Sequence, residues 1–203
     1  MNPTRPAQEV ICDLFSLFAA SVAERQALAE EVPSVREVST DCMPESYQRL
    51  LAHPYHMTVA LEQFYGRPVY LKVLRRYRAG SWYARKILLL LVGTEQVVEF
   101  GIMRIDLDAC TPAVRRGIVA EEEPLGRLLI RHNIPRTIEP GPFLHIGLTP
   151  KLAQYFRVPH HGSTYARLAR VASQGRPVVE LLEMVAPMNE SDRPREQTDP
   201  GGS

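Results

Sequence analysis

The stretch that most constrains this chain is its last apolar run, Gly175 to Pro187, which reads Gly-Arg-Pro-Val-Val-Glu-Leu-Leu-Glu-Met-Val-Ala-Pro. Gly175-Arg176-Pro177 is a turn signal, the branched residues that follow suit a buried strand, and Pro187 closes the run. Strand alternation places Glu183 on one face with Val179, Leu181 and Val185, and Glu180 on the other with Val178 and Leu182. Either way, an acid sits among hydrocarbon. A buried carboxylate is costly unless it is protonated, hydrogen-bonded or paired with a cation, so the chain has to supply a partner elsewhere.

Composition narrows the setting for that partner. The chain has 203 residues, 45% of them hydrophobic and only 7% aromatic, enough for one good core, so a single domain is expected over residues 1–187. A net charge of +1 argues against a dedicated nucleic-acid binder. No apolar run reaches the length of a membrane span; Leu88 to Val92 is too short. Cys12, Cys42 and Cys110 are widely spaced, with neither a disulfide framework nor a zinc pattern, which implies a reducing cytoplasm. The first residues carry no secretory-signal pattern.

Read in order, the chain changes period near Pro68. Ala7 to Glu31 is expected to be one helix, with Ile11, Leu14, Phe15, Phe18 and Val22 facing the core. A second helix is expected over Pro44 to Leu51 and a third over Met57 to Tyr65, ended by Gly66. From Pro68 the spacing becomes two, and the runs from Val69, from Tyr83 to Val92 and from Gln96 to Leu107 read as a three-strand meander. Thr111-Pro112 starts another helix. Leu144 and Ile146 suggest a strand, and Leu152, Tyr155 and Phe156 a helical turn, but the order of residues 131–161 stays open. Thr164 to Ala172 is expected to form a hairpin with Val178 to Pro187. The division is thus a helical region, 1–66, a sheet region, 67–187, and a polar tail, 188–203, expected to be disordered.

Most candidate chemistry dissolves on inspection. No nucleotide-binding, nucleophile-elbow or HExxH motif is present. His160 and His161 face opposite ways on a strand, and His53 and His56 are split by Pro54 with no acidic partner, so no metal is expected. Glu121-Glu122-Glu123 reads as a solvated face. Arg85 and Lys86 are different. They lie inside Tyr83-Ala84-Arg85-Lys86-Ile87-Leu88-Leu89, where alternation forbids both from pointing to solvent. Arginine is the better fit for a planar carboxylate, either a ligand's or that of a buried glutamate in a stabilising bridge.

Met57-Thr58 with Leu61-Glu62, Arg85-Lys86-Ile87-Leu88-Leu89, Pro124-Leu125-Gly126 and Glu183-Met184-Val185-Ala186-Pro187 occur in the order and approximate spacing of the chorismate pyruvate-lyase (4-hydroxybenzoate synthase) family, which the chain resembles over residues 47–187. The resemblance implies an α+β fold, an antiparallel β-sheet with helices packed on it, around a small cavity for an aromatic acid. It selects Glu183 over Glu180. It implies that Arg85, with backbone amides of Met57 and Leu125, anchors a carboxylate of chorismate, and that Glu183 is the acid assisting loss of pyruvate, giving a hydroxybenzoate of the kind used for ubiquinone. No cofactor is required, and a cytoplasmic monomer is expected. Lys86 departs from the family, which has an acidic residue there. The competing reading is a binding module: effector domains of some bacterial transcription regulators resemble the same fold, although residues 1–50 show no helix-turn-helix.

Overall fold

A computed structural model describes residues 5–135, 137–159, 162–173 and 176–188. The first helical stretch is two helices, α1 (Ala7–Ser16) and α2 (Val22–Glu31). The break has a local cause. Ser21 Oγ accepts from the Glu24 N–H at 3.1 Å while Glu24 Oε2 accepts from the Ser21 N–H at 2.9 Å, a capping box that starts a new helix. Val22, expected in the core, is consequently 65% exposed. Strand β1 (Val35–Val38) follows, so the 1–66 region is not wholly helical. Then come α3 (Glu45–Leu51) and α4 (Met57–Tyr65), the latter ended by Gly66 in the left-handed conformation, as expected.

The meander is present as β2 (Val69–Ala79), β3 (Trp82–Leu91) and β4 (Val97–Asp106). Gly80, at φ +58°, makes the two-residue turn between the first pair, a conformation that costs glycine little. Helices α5 (Pro112–Ala120) and α6 (Leu125–Arg131) come next, Thr111 capping the first through its hydroxyl. The stretch left open in the sequence holds β5 (Thr137–Gly147) and α7 (Pro150–Phe156), and the expected final hairpin is β6 (Ser163–Ser173) with β7 (Arg176–Val185). The expected tail from 189 onward and the His160–His161 pair lie outside the described residues.

The seven strands among the described residues form one antiparallel sheet in the order β1-β5-β6-β7-β4-β3-β2. This is the expected α+β architecture. Both faces are covered. Helices α1 and α7 pack on one face, where Phe15, Ile11 and Leu152 meet Leu88, Phe100, Ile102, Leu168 and Leu182. On the other face the hydrocarbon divides into two clusters: α3 and α4 cover Leu89, Leu91 and Val185, while α5 and α6 cover Tyr83, Met103, Val171 and Val179. The division between those clusters positions the site.

Two-sided burial also settles the Arg85–Lys86 alternation. Both side chains are 2% exposed, on opposite faces. Lys86 lies between α1 and α2, its Nζ donating to Glu31 Oε2 at 2.6 Å and sitting 4.9 Å and 5.3 Å from the Phe15 and Phe18 ring centroids. Burial pushes its pKa down, against the pull of Glu31. No helix among the described residues is long and apolar enough to cross a membrane.

Candidate functional site

The gap between the two clusters is a cavity of about 60 Å³. That is several times the roughly 10–15 Å³ needed by one water. Its floor is three strands in register: Arg85, Ile87 and Leu89 of β3 lie beside Met103, Gly101 and Glu99 of β4, which in turn lie beside Leu181, Glu183 and Val185 of β7. Its roof is the two helix starts, His56-Met57-Thr58 of α4 and Pro124-Leu125-Gly126 of α6. They touch closely. A Cβ on Gly126 would fall 2.8 Å from His56 Cβ and 3.1 Å from Thr58 Oγ1, so only glycine fits there without a shift.

Arg85, Glu183, Met57 and Leu125 all line this one cavity. Glu180 does not; it faces the other side and takes a hydrogen bond from Arg104 Nε at 2.9 Å. Sheet order nevertheless changes the pairing of Glu183. Strand β6 is the immediate neighbour of β7, and Arg167 lies directly opposite Glu183 in the ladder, whereas Arg85 is two strands away, roughly 9–10 Å at 4.7–4.9 Å per strand. Arg167 Nε accordingly donates to Glu183 Oε2 at 2.6 Å.

Arg167 is wholly buried and its hydrogen bonds account for why. Nη1 donates to the carbonyls of Leu51, at 2.9 Å, and His53, at 2.7 Å, and Nη2 to that of Tyr55 at 3.2 Å. The connection from α3 to α4 is thereby fastened to the sheet. His53 Nδ1 accepts from the Tyr55 N–H at 3.2 Å, which leaves Nε2 to donate to the Leu50 carbonyl at 2.7 Å. Burial, then the adjacent Arg167 charge, lower the His53 pKa.

Arg85 is kept differently. Its charge is drawn by Tyr83, on the same face of β3, and by Glu121, to which the Tyr83 hydroxyl donates and which also takes Arg76 Nη2 at 3.0 Å. Glu121 is therefore more than a solvated face. Arg85 Nη1, however, is buried with no hydrogen-bond partner, and burial lowers the arginine's pKa. Glu99 has the same condition: 3% exposed, with Oε2 buried and unpartnered. Burial above all, and next the Glu183 charge, push its pKa well above the usual carboxylate range, which favours its neutral form. No cluster of metal-ligating side chains occurs among the described residues.

Sequence reasoning missed Arg167 and Glu99. Each was visible as a charge inside an apolar alternating run, Tyr165-Ala166-Arg167-Leu168-Ala169 and Val97-Val98-Glu99-Phe100, the same signal that marked Arg85.

No family model and no curated protein sequence matches the chain. Solved structures do. A possible transcriptional regulator, YydK from Bacillus subtilis, is 12% identical with a TM-score of 0.47, the match covering 94% of this chain and 86% of that one. The effector domain of PhnF from Mycobacterium smegmatis is 10% identical with a TM-score of 0.48, over 65% of this chain and 88% of its own. A GntR-family transcriptional regulator from Bacillus cereus is 10% identical with a TM-score of 0.42, over 59% and 92%. At these identities the likeness concerns the fold.

The expectation of a chorismate pyruvate-lyase-like enzyme does not hold. The three solved structures above are a possible regulator, a regulator and an effector domain. The acid assigned to protonate the departing ether oxygen, Glu183, is the acceptor of a buried salt bridge to Arg167. An acceptor so engaged is not a proton donor aimed at a ligand.

Proposed function

We propose that the chain is a non-catalytic module that binds a small aromatic acid, as an effector-sensing domain does. The observation that carries this reading is Arg85 Nη1: a buried guanidinium N–H without a partner, in a cavity whose other walls are largely Ile87, Leu89, Met103 and Leu181. A carboxylate meeting that N–H completes its hydrogen bonding, and a charge-assisted bond in an apolar surround is stronger than one in water. The hydrocarbon walls suit a ring. Met57 and Leu125 stand at N1 of their helices, where backbone N–H groups have no intrahelical acceptor, and their role is to add donors beside the carboxylate. Glu183 holds Arg167, and through it the α3–α4 connection that delivers Met57.

The test is a thermal-shift series with benzoate and hydroxybenzoates on the wild type and on Arg85→Met. Ligand that binds only the folded state raises the midpoint, by an amount equivalent to about 2.7 kcal/mol at a hundred times Kd. The expected result is stabilisation of the wild type and none of the variant. Equal stabilisation of both, or no response of the wild type to any small carboxylate, overturns the reading. So does pyruvate release from chorismate, followed with lactate dehydrogenase.

A further inference from the structure

Arg85 is one of two cavity residues with a buried, unpartnered side-chain atom among the described residues, and the second is rooted further along the floor. Glu99 pairs across the ladder with Leu89, four residues from Arg85 along β3, a separation of roughly 13 Å at 3.3 Å per residue. The level between them is Ile87 opposite Gly101. Glu99 and Ile87 fill the space over Gly101: a Cβ at that position would lie 3.2 Å from Glu99 Oε1 and 3.2 Å from Ile87 Cγ1. The Glu99 carboxyl thus reaches back over Gly101 on the Arg85 side, with Glu183 on the next strand, so one cavity holds a donor and a carboxyl that have no partner within the chain.

Glu99 is not explained by the architecture. Arg167, whose charge acts on Glu99, is committed to Glu183 and three carbonyls, and Glu99 accepts nothing at Oε2. Leaving a buried polar atom unmade costs more than a formed hydrogen bond contributes, so a ligand that meets it gains selectively over one that does not.

We infer that Glu99 is a specificity residue of this cavity, and that the ligand is an acid carrying a neutral hydrogen-bonding group, a hydroxyl or an aromatic amine, at the end remote from its carboxylate. This rests on the proposed function, since Arg85 has to hold the acid for Glu99 to read the far end. A neutral group is the complement because a carboxyl in its neutral form both donates and accepts, as a hydroxyl does. A cationic ammonium would require Glu99 to ionise beside Glu183, and is disfavoured.

The experiment is calorimetric titration of the wild type and Glu99→Leu with benzoate, 4-hydroxybenzoate, 4-aminobenzoate and 4-(aminomethyl)benzoate. The wild type is expected to favour the hydroxy and amino acids over benzoate by roughly tenfold, the worth of one buried hydrogen bond. The aminomethyl compound should bind no better than benzoate. In Glu99→Leu the preference should vanish while benzoate affinity stays within about threefold of wild type, which also shows that the variant is folded. Benzoate binding with no distal preference, or a preference that survives Glu99→Leu, overturns the inference and leaves the proposed function standing. Tightest binding of the aminomethyl compound overturns the neutral-group assignment. If no compound binds the wild type, the proposed function fails, and this inference with it.

Discussion

Arg85 and Arg167 lie on the same face of one sheet, both buried and both flanked along their strands by apolar side chains. Their surroundings differ in completeness. Arg167 meets a carboxylate directly across the ladder and spends its remaining N–H groups on the carbonyls of residues 51, 53 and 55. Arg85 has only the attraction of Tyr83 and Glu121 for its charge, and its Nη1 stays without a hydrogen-bond partner in a cavity. A buried cation with every bond made holds elements together; one with a bond left over is available to something that is not part of the chain. Neither sequence composition nor depth of burial distinguishes the two.

Breaking the satisfied arginine should have the largest effect. Arg167→Met leaves Glu183 buried without its cation and three carbonyls without a donor, and should cost about 3–5 kcal/mol, which for a domain of this size is a fall in Tm of roughly 10 °C or more, read by urea and thermal unfolding. Arg85→Met should do the opposite of its counterpart: stability unchanged within about 1 kcal/mol, or raised, because an incompletely bonded charge is replaced by hydrocarbon of similar size. If both variants unfold alike, the contrast between the two sites is wrong.

Titration sharpens the same contrast on a smaller scale. Glu99 binds its proton more tightly folded than unfolded, so its contribution is present below the unfolded pKa and is lost as pH rises through the folded one. Chemical-denaturation midpoints should therefore fall with increasing alkalinity less in Glu99→Gln than in wild type. His53, beside Arg167, has the reverse sign. Its pKa is lowered by folding, so the stability it contributes is present above the unfolded value and lost as pH falls through the folded one. A His53→Gln variant should flatten the acid limb slightly, the smallest of these effects.

Local signals in the sequence were enough for the individual elements of the meander, the final hairpin and the placing of Glu183 and Glu180 on opposite faces, because alternation and turn residues act within a few positions. Strand order is not local. That β6 rather than β3 adjoins β7 decides that Glu183 takes Arg167 and leaves Arg85 unpaired, and no spacing in the chain states it. Glu99 was legible as a charge in an apolar run, but its face was not, since the ladder shifts between Leu89 and Leu90 and disturbs the alternation from Val97. The division of α1 from α2 was legible and outweighed: Ser21-x-x-Glu24 is a capping signal, but the apolar stripe from Ile11 to Phe18 seemed to run through it to Val22.

The contact at Gly126 has a consequence for how such a cavity diverges. Two helix starts meet there at the distance that a hydrogen atom allows, so the span of the roof is fixed by a residue that touches no ligand. One added methyl would wedge α6 from α4 and change the size of molecule admitted, while Arg85 and Glu99, on the strands beneath, kept their places. Descendants of this chain could thus trade one ligand for a larger one by a single codon far from either polar group.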